Sequence, residues 1–189
     1  MMARRLLIAV SIFLALCGTA RAQKWSVQTN FLDWAALGTM NAEIGMSVAQ
    51  HFSLFSGGRY NPWEFRTGEP ETLVMNRQKT GYIGVRYWTW YVNSGFWTGI
   101  KAQYMDFSNT GIWRAALKEG KGGIGGGLSA GYTYMLGKHV NLEAGLGIWA
   151  GKFREYHFYS SPNKYYVREE GPKTFVYPDF LSLSIVYVF

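Results

Sequence analysis

The chain has 189 residues with a formal net charge of +7, three histidines and one cysteine, and 17% of it is aromatic. Its first 22 residues carry three of the 19 basic side chains and none of the 12 acids, so the remainder holds only +4. That excludes the strong cationic footprint of a nucleic-acid binder, and the length points to a single domain.

The N-terminus reads as a leader. Arg4 and Arg5 precede an apolar run from Leu6 to Cys17, and Ala20-Arg21-Ala22 places small residues where a signal peptidase cleaves. Residues 1–22 are the expected signal peptide and 23–189 the expected outer-membrane β-barrel domain. The run is short of the ~20 residues of a spanning helix. Cys17 follows Leu16 rather than a small residue, which argues against lipidation. Cleavage after Ala22 removes the only cysteine.

Beyond residue 22 the dominant period is two. Met40, Ala42, Ile44, Met46 and Val48 alternate with polar residues or Gly. So do Leu128, Ala130, Tyr132 and Tyr134, and again Val140, Leu142, Ala144, Leu146, Ile148 and Ala150. Such alternation is the mark of a strand. Eight segments carry it, over about 24–32, 40–48, 52–60, 80–91, 96–105, 124–136, 140–151 and 180–189. Most match the ~9–11 residues of a tilted membrane-crossing strand. Connections at 49–51, 92–95 and 137–139 are short, and those at 33–39, 61–79, 106–123 and 152–179 are long. The pattern predicts an all-β fold, an eight-stranded antiparallel up-and-down transmembrane β-barrel in the outer membrane of a Gram-negative bacterium.

In such a barrel apolar side chains face lipid and polar ones face inward. Glu43, Arg59, Arg86, Lys101 and Glu143 lie mid-strand on the polar face, where they are expected to form an interior charge network rather than an ion path. Trp25, Tyr60, Trp63, Trp88 and Tyr187, with Trp90, Tyr104 and Tyr134, stand near segment ends and suit interfacial girdles. The end of the sequence, LSLSIVYVF, places Leu181, Leu183, Ile185, Tyr187 and Phe189 on one face. It reads as the closing strand, with Tyr187 and Phe189 resembling the signal read by the outer-membrane assembly machinery.

No catalytic constellation emerges. His51-Phe52-Ser53 has the His–Ser spacing of small lipid A deacylases but falls in a short turn at the wrong end. His157 and Ser160 lie in a long loop without rigid positioning. The three histidines lack metal-ligand spacing, and the glycines from Gly120 to Gly127 lack a phosphate-loop pattern. No enzyme, metal or cofactor is expected. The aromatic and charged stretch 152–179 is the expected surface for recognition or for contact with lipopolysaccharide. Two alternatives stay open, an outer-leaflet lipid-modifying enzyme and a soluble periplasmic barrel binding an apolar ligand.

Several short motifs point to one family. Thr29-Asn30, Tyr60-Asn61-Pro62-Trp63, Arg86-Tyr87-Trp88, Gly131-Tyr132, Leu136-Gly137-Lys138-His139 and Asn141-Leu142-Glu143-Ala144-Gly145 resemble a domain-of-unknown-function family of small exported bacterial proteins regarded as outer-membrane barrels. The resemblance covers most of residues 25–189, and His139 stands where the family often has Arg. The barrel reading makes outer-membrane lipid, lipopolysaccharide and the assembly machinery the expected partners, and the resemblance adds fimbrial or other surface proteins. It implies no catalytic or ligand residues.

Overall fold

The structure is a computed structural model that describes residues 25–67, 72–111, 114–159 and 167–189. The expected signal peptide, residues 1–22, lies outside the described residues. The elements are β1 (Trp25–Asn30), α1 (Phe31–Ala35), β2 (Met40–Ala49), β3 (Phe52–Asn61), β4 (Glu64–Thr67), β5 (Thr72–Trp88), β6 (Gly95–Gly111), β7 (Arg114–Met135), β8 (Val140–Tyr159) and β9 (Val167–Val188).

All pairings are antiparallel, and they return on themselves. The sheet runs β3-β2-β1-β9-β8-β7-β6-β5-β4, and β3 also pairs with β5. Because β3 and β4 both pair with β5 and are separated only by Pro62 and Trp63, they form one interrupted stave. Pro62 has no N–H for a ladder, so the break falls there. The nine strands therefore make eight staves in a closed ring, as the period-two pattern predicts.

Closure rests on β1 and β9. Ser26 pairs with Val188 and Asn30 with Ser184, and the Phe189 N–H donates to the Trp25 carbonyl at 2.9 Å. At the short-turn end two histidines add a rung each. The Trp88 N–H donates to the His51 carbonyl at 2.8 Å, and His51 Nδ1 lies 3.0 Å from the Trp88 carbonyl. His139 does the same to Val188, at 2.8 and 2.9 Å. A carbonyl oxygen can only accept, so both rings carry their proton on Nδ1. Each imidazole also lies against a tyrosine one residue back, Tyr87 or Tyr187. The similarity of the two turns in sequence thus has a common cause, a histidine fastening the start of one stave to the end of the next.

The ring sorts side chains by parity. Ile83, Ile100, Ile124, Leu128, Leu146 and Leu181 point outward with 59–69% of their surface exposed. Glu43, Arg86, Lys101, Gln103, Asn141, Glu143 and Ser184 are buried. The aliphatic face is outside and the polar face inside, the reverse of a soluble core.

The staves are unequal. β1 has 6 residues and β2 and β3 have 10, whereas β5 and β6 have 17, β8 has 20, and β7 and β9 have 22. Most of the expected long loops at 61–79, 106–123 and 152–179 is therefore strand. Lys152 pairs with Thr174 and His157 with Glu170, deep within the expected last loop. Register shifts between Phe153 and Tyr156 and between Met105 and Phe107 break the strict alternation, which hides these strands from a period-two reading.

The two histidine rungs generate a stability test. His51→Ala and His139→Ala should each lower unfolding free energy by about 1 kcal/mol, the net value of one hydrogen bond. Urea titration of the lipid-refolded barrel, followed by tryptophan fluorescence, measures it. No change in midpoint for either variant would refute a fastening role.

Candidate functional site

The barrel interior holds a buried charged cluster from four staves. The Arg86 guanidinium lies 2.7 Å from Glu43 and 3.7 Å from Glu143. Gln28 donates to Glu43 at 3.0 Å, and Thr133 donates to Glu143 at 2.8 Å. The Arg86 guanidinium carbon also sits 4.5 Å from the Phe55 ring centre and 4.4 Å from that of Trp97. The planar cation is thus held between two aromatic faces while its edge meets carboxylate, which suits Arg and not Lys. Lys101 is buried, with its ammonium 4.9 Å from the Tyr82 ring centre, and supplies a second positive charge against the two acids.

Two glycines make room for those rings. A Cβ on Gly84 would stand 2.5 Å from the Phe55 ring, and one on Gly131 would stand 2.5 Å from Trp97. Alternation puts these glycines on the inner face, where a small residue lets a neighbouring stave's aromatic lie flat across the lumen.

Of the interior charges singled out in the sequence, Glu43, Arg86 and Glu143 come together, and Lys101 lies nearby beside Tyr82. Arg59 is also buried, with its guanidinium 5.9 Å from the same Tyr82 ring centre. Its guanidinium pairs with Asp33 at 3.0 Å, which pins α1 to the rim. Asp33 was not anticipated, because a single acid in a short connection carries no periodic signal.

Among the proposed girdle residues, Trp25, Tyr60, Trp63 and Tyr187 are exposed. Trp88 is a correction. It is 1% exposed, packs against Trp97 and donates from Nε1 to Ser53 Oγ at 2.9 Å inside the barrel. Trp88 shares the parity of Arg86, so the sequence already contained the signal that both face inward. Trp90 and Tyr91, just past the strand end, are the exposed aromatics of that edge.

Toward the long-strand end the interior turns apolar. Trp149, Phe153, Tyr156 and Phe175 form a buried cluster against Met105, Phe107 and Phe158. Their rings approach closely, Trp149 to Phe175 at 4.3 Å and Phe153 to Phe175 at 4.5 Å. The interior side is thus occupied at two levels, by the Arg86 cluster and by this aromatic group on β6, β8 and β9.

The rim on the short-stave side is tied by asparagines. Asn30 Oδ1 accepts from the Leu32 N–H, capping α1, and from the Leu183 N–H on β9. Its Nδ2 donates to the Leu181 carbonyl at 3.2 Å, so one side chain substitutes for the next rung after β1 ends. Asn61 Nδ2 reaches Thr39 Oγ1, and Asn61 Oδ1 accepts from the Trp63 N–H. Gly38, at φ +69°, turns the chain beneath the Trp63 indole, which donates to its carbonyl. These contacts give the Thr29-Asn30 and Tyr60-Asn61-Pro62-Trp63 motifs a structural purpose.

The catalytic candidates stay apart. His51 is committed to the Trp88 carbonyl, whereas Ser53 is buried and accepts from the Trp88 indole. His157 sits 3.2 Å from Glu170, and Ser160 lies outside the described residues. Among the described residues no group of three His, Cys, Asp or Glu is placed to hold a metal.

Residues 8–189 match the family described as Protein of unknown function (DUF3575). The chain belongs to this family. Among solved structures, the chain is similar to the outer membrane protein OprG from Pseudomonas aeruginosa, at 13% identity and a TM-score of 0.52. That match covers 90% of this chain and 83% of the other, and it shows a common barrel fold. No curated protein matches the chain.

The interior cluster makes a coupled prediction. Arg86→Gln leaves Glu143 and Glu43 facing each other with Lys101 nearby, and should cost about 3–5 kcal/mol. Adding Glu143→Gln restores one acid against one base and should recover a large part of that loss. A double-mutant cycle from urea unfolding reads the coupling. Strict additivity of the two changes would mean that the residues do not act as a unit.

Proposed function

We propose that the protein is a closed, non-enzymatic barrel of the outer membrane that serves a structural or surface-interaction role through the tall wall of β5–β9. The observation that carries this reading is the inverted burial: an aliphatic outer face around a salt-bridged, aromatic-filled interior. In water that face would drive aggregation, whereas in hydrocarbon it is the stable arrangement. Along β8 the outward residues Val140, Leu142, Ala144, Leu146, Ile148 and Ala150 span a length suited to the bilayer core.

On this reading the short turns and the ends of β1 and β9 face the periplasm. The long-strand end projects outward. From Lys152 to Tyr159 the β8–β9 ladder continues for about eight more residues, roughly 20 Å allowing for tilt. The wall is a hydrogen-bonded sheet rather than a set of loose loops, which makes it a stiff platform for lipopolysaccharide, fimbrial components or other surface proteins. Tyr187 and Phe189 serve as the assembly signal, and cleavage after Ala22 releases the leader.

Transport of ions or polar solutes is not part of the proposal, because an eight-stave interior is narrow and here holds the Arg86 cluster with its flanking rings. Catalysis is not part of it either, since His51 and Ser53 are separately engaged and His157 faces Glu170.

Two measurements test this reading. The outer-membrane fraction should contain a species that runs faster unboiled than boiled in SDS, beginning at Gln23 by N-terminal sequencing. The purified barrel should give no large, stable conductance step in a planar bilayer. A soluble periplasmic protein without a heat shift would sink the membrane assignment. Steady channel conductance would sink the closed interior, and an altered lipid A mass in a deletion strain would replace the structural role with an enzymatic one.

A further inference from the structure

Just above the apolar belt the outward face of the tall wall changes character. The outward series on β8 runs Leu146, Ile148, Ala150 and then Lys152 and Arg154. On β5 it runs Val85, Ile83, Gly81 and then Lys79. Lys79, Lys152 and Arg154 are exposed, and none makes an ion pair with a carboxylate among the described residues.

Of the carboxylates near them, Asp106 is already engaged, and Glu155 stands across from Lys121. Asp106, the cross-strand neighbour of Lys79, accepts from the Tyr104 hydroxyl at 3.0 and 2.8 Å and from the Gly122 N–H at 2.7 Å. Tyr104 points outward at the top of the belt and so marks the boundary between apolar and charged surface. The backbone at Gly122, with φ +61°, leaves space in which the Arg154 side chain lies.

At the same height a groove of about 340 Å³ crosses β3, β5, β6 and β7, with Arg77, Lys79 and Lys121 on its walls against Asp106 and Glu119, the latter accepting from the Ser108 hydroxyl at 3.2 Å. From β5 to β8 is three interstrand spacings, so the cations at the two sides stand roughly 14 Å apart.

We propose that this rim is a binding site for the phosphorylated disaccharide headgroup of an outer-leaflet glycolipid. Lys79 and the groove take one phosphate, and Lys152 with Arg154 takes the other. The acyl chains lie on the aliphatic strips of β5–β8 directly below. The inference rests on the membrane reading above and names the lipid that the outward face selects. Charge complementarity carries it: unpaired cations stand in an arc at the lipid boundary on the long-strand side. A guanidinium beside an ammonium is the donor set for a phosphate monoester.

The test uses the mature barrel in detergent micelles and native mass spectrometry, with three probes: bis-phosphoryl lipid A, its monophosphoryl form and phosphatidylglycerol. The wild type should retain one bis-phosphoryl lipid A. Loss of one phosphate, or the paired substitution Lys152→Gln and Arg154→Gln, should each weaken retention at least about tenfold, as expected for losing charge-assisted hydrogen bonds. Lys79→Gln should act independently of that pair. These exposed substitutions should leave the heat-dependent gel shift unchanged.

Equal retention of phosphatidylglycerol, or of lipid A by the Gln variants, would overturn the site. A barrel that shifts on heating but retains no lipid A would overturn the site and leave the membrane reading standing. Absence of the heat shift in the wild type would remove both.

Discussion

Everything in this structure depends on the pairing of β9 with β1. A sheet of this size in lipid cannot carry a free edge, because an unpaired N–H or C=O there has no water to turn to. Five residue pairs from Ser26–Val188 to Asn30–Ser184 close the ring. The side chain of Asn30 then extends the closure past the last β1 residue by supplying both a donor and an acceptor to β9. The histidine rungs at the short-turn end do the corresponding work for staves that begin late. Side chains complete the ladder at both ends, where backbone pairing runs out.

Closure creates the second constraint, an interior that must be filled and neutral. An eight-stave ring has just enough room for side chains. The chain fills it in layers: Trp88 against Trp97 near the short-turn end, then the Arg86 cluster, then Lys101 with Tyr82, and finally the aromatic group around Phe153. Charge and ring are used together. Arg86 bonds Glu43 at its edge and faces Glu143 at 3.7 Å, while its faces replace water with Phe55 and Trp97. The inner glycines make this possible, since a methyl group at Gly84 or Gly131 would collide with the ring opposite. The same packing that stabilises the barrel also fills its interior, which is why the surface of the tall wall bears the functional proposals.

Much of the architecture is legible in the sequence, and the places where the structure differs have definite causes. Period-two alternation located all eight staves and the burial of Glu43, Arg86 and Glu143, because parity in a strand decides the face. Trp88 was misplaced by reading its nearness to a strand end instead of its parity with Arg86. The upper halves of β7, β8 and β9 were read as loops, since bulges around Gly122 and between Phe153 and Tyr156 shift the alternation and let charged residues stand on both sides. Parity puts Arg59 on the inner face, and its place beside α1 gives it Asp33 as a partner while its guanidinium still reaches over Tyr82.

The sequence by itself determined the fold class, the number of staves and the inside and outside of each, because these follow from the chemistry of alternate residues and need no partner. Only the tertiary structure decided which interior charges meet, how far the sheet rises beyond the belt, and where Lys79 stands relative to Lys152 and Arg154. Those are properties of register between staves distant in sequence. Register is set by the stagger of the closed ring, by bulges and by the fit of rings over glycines, and none of these is written in any one segment.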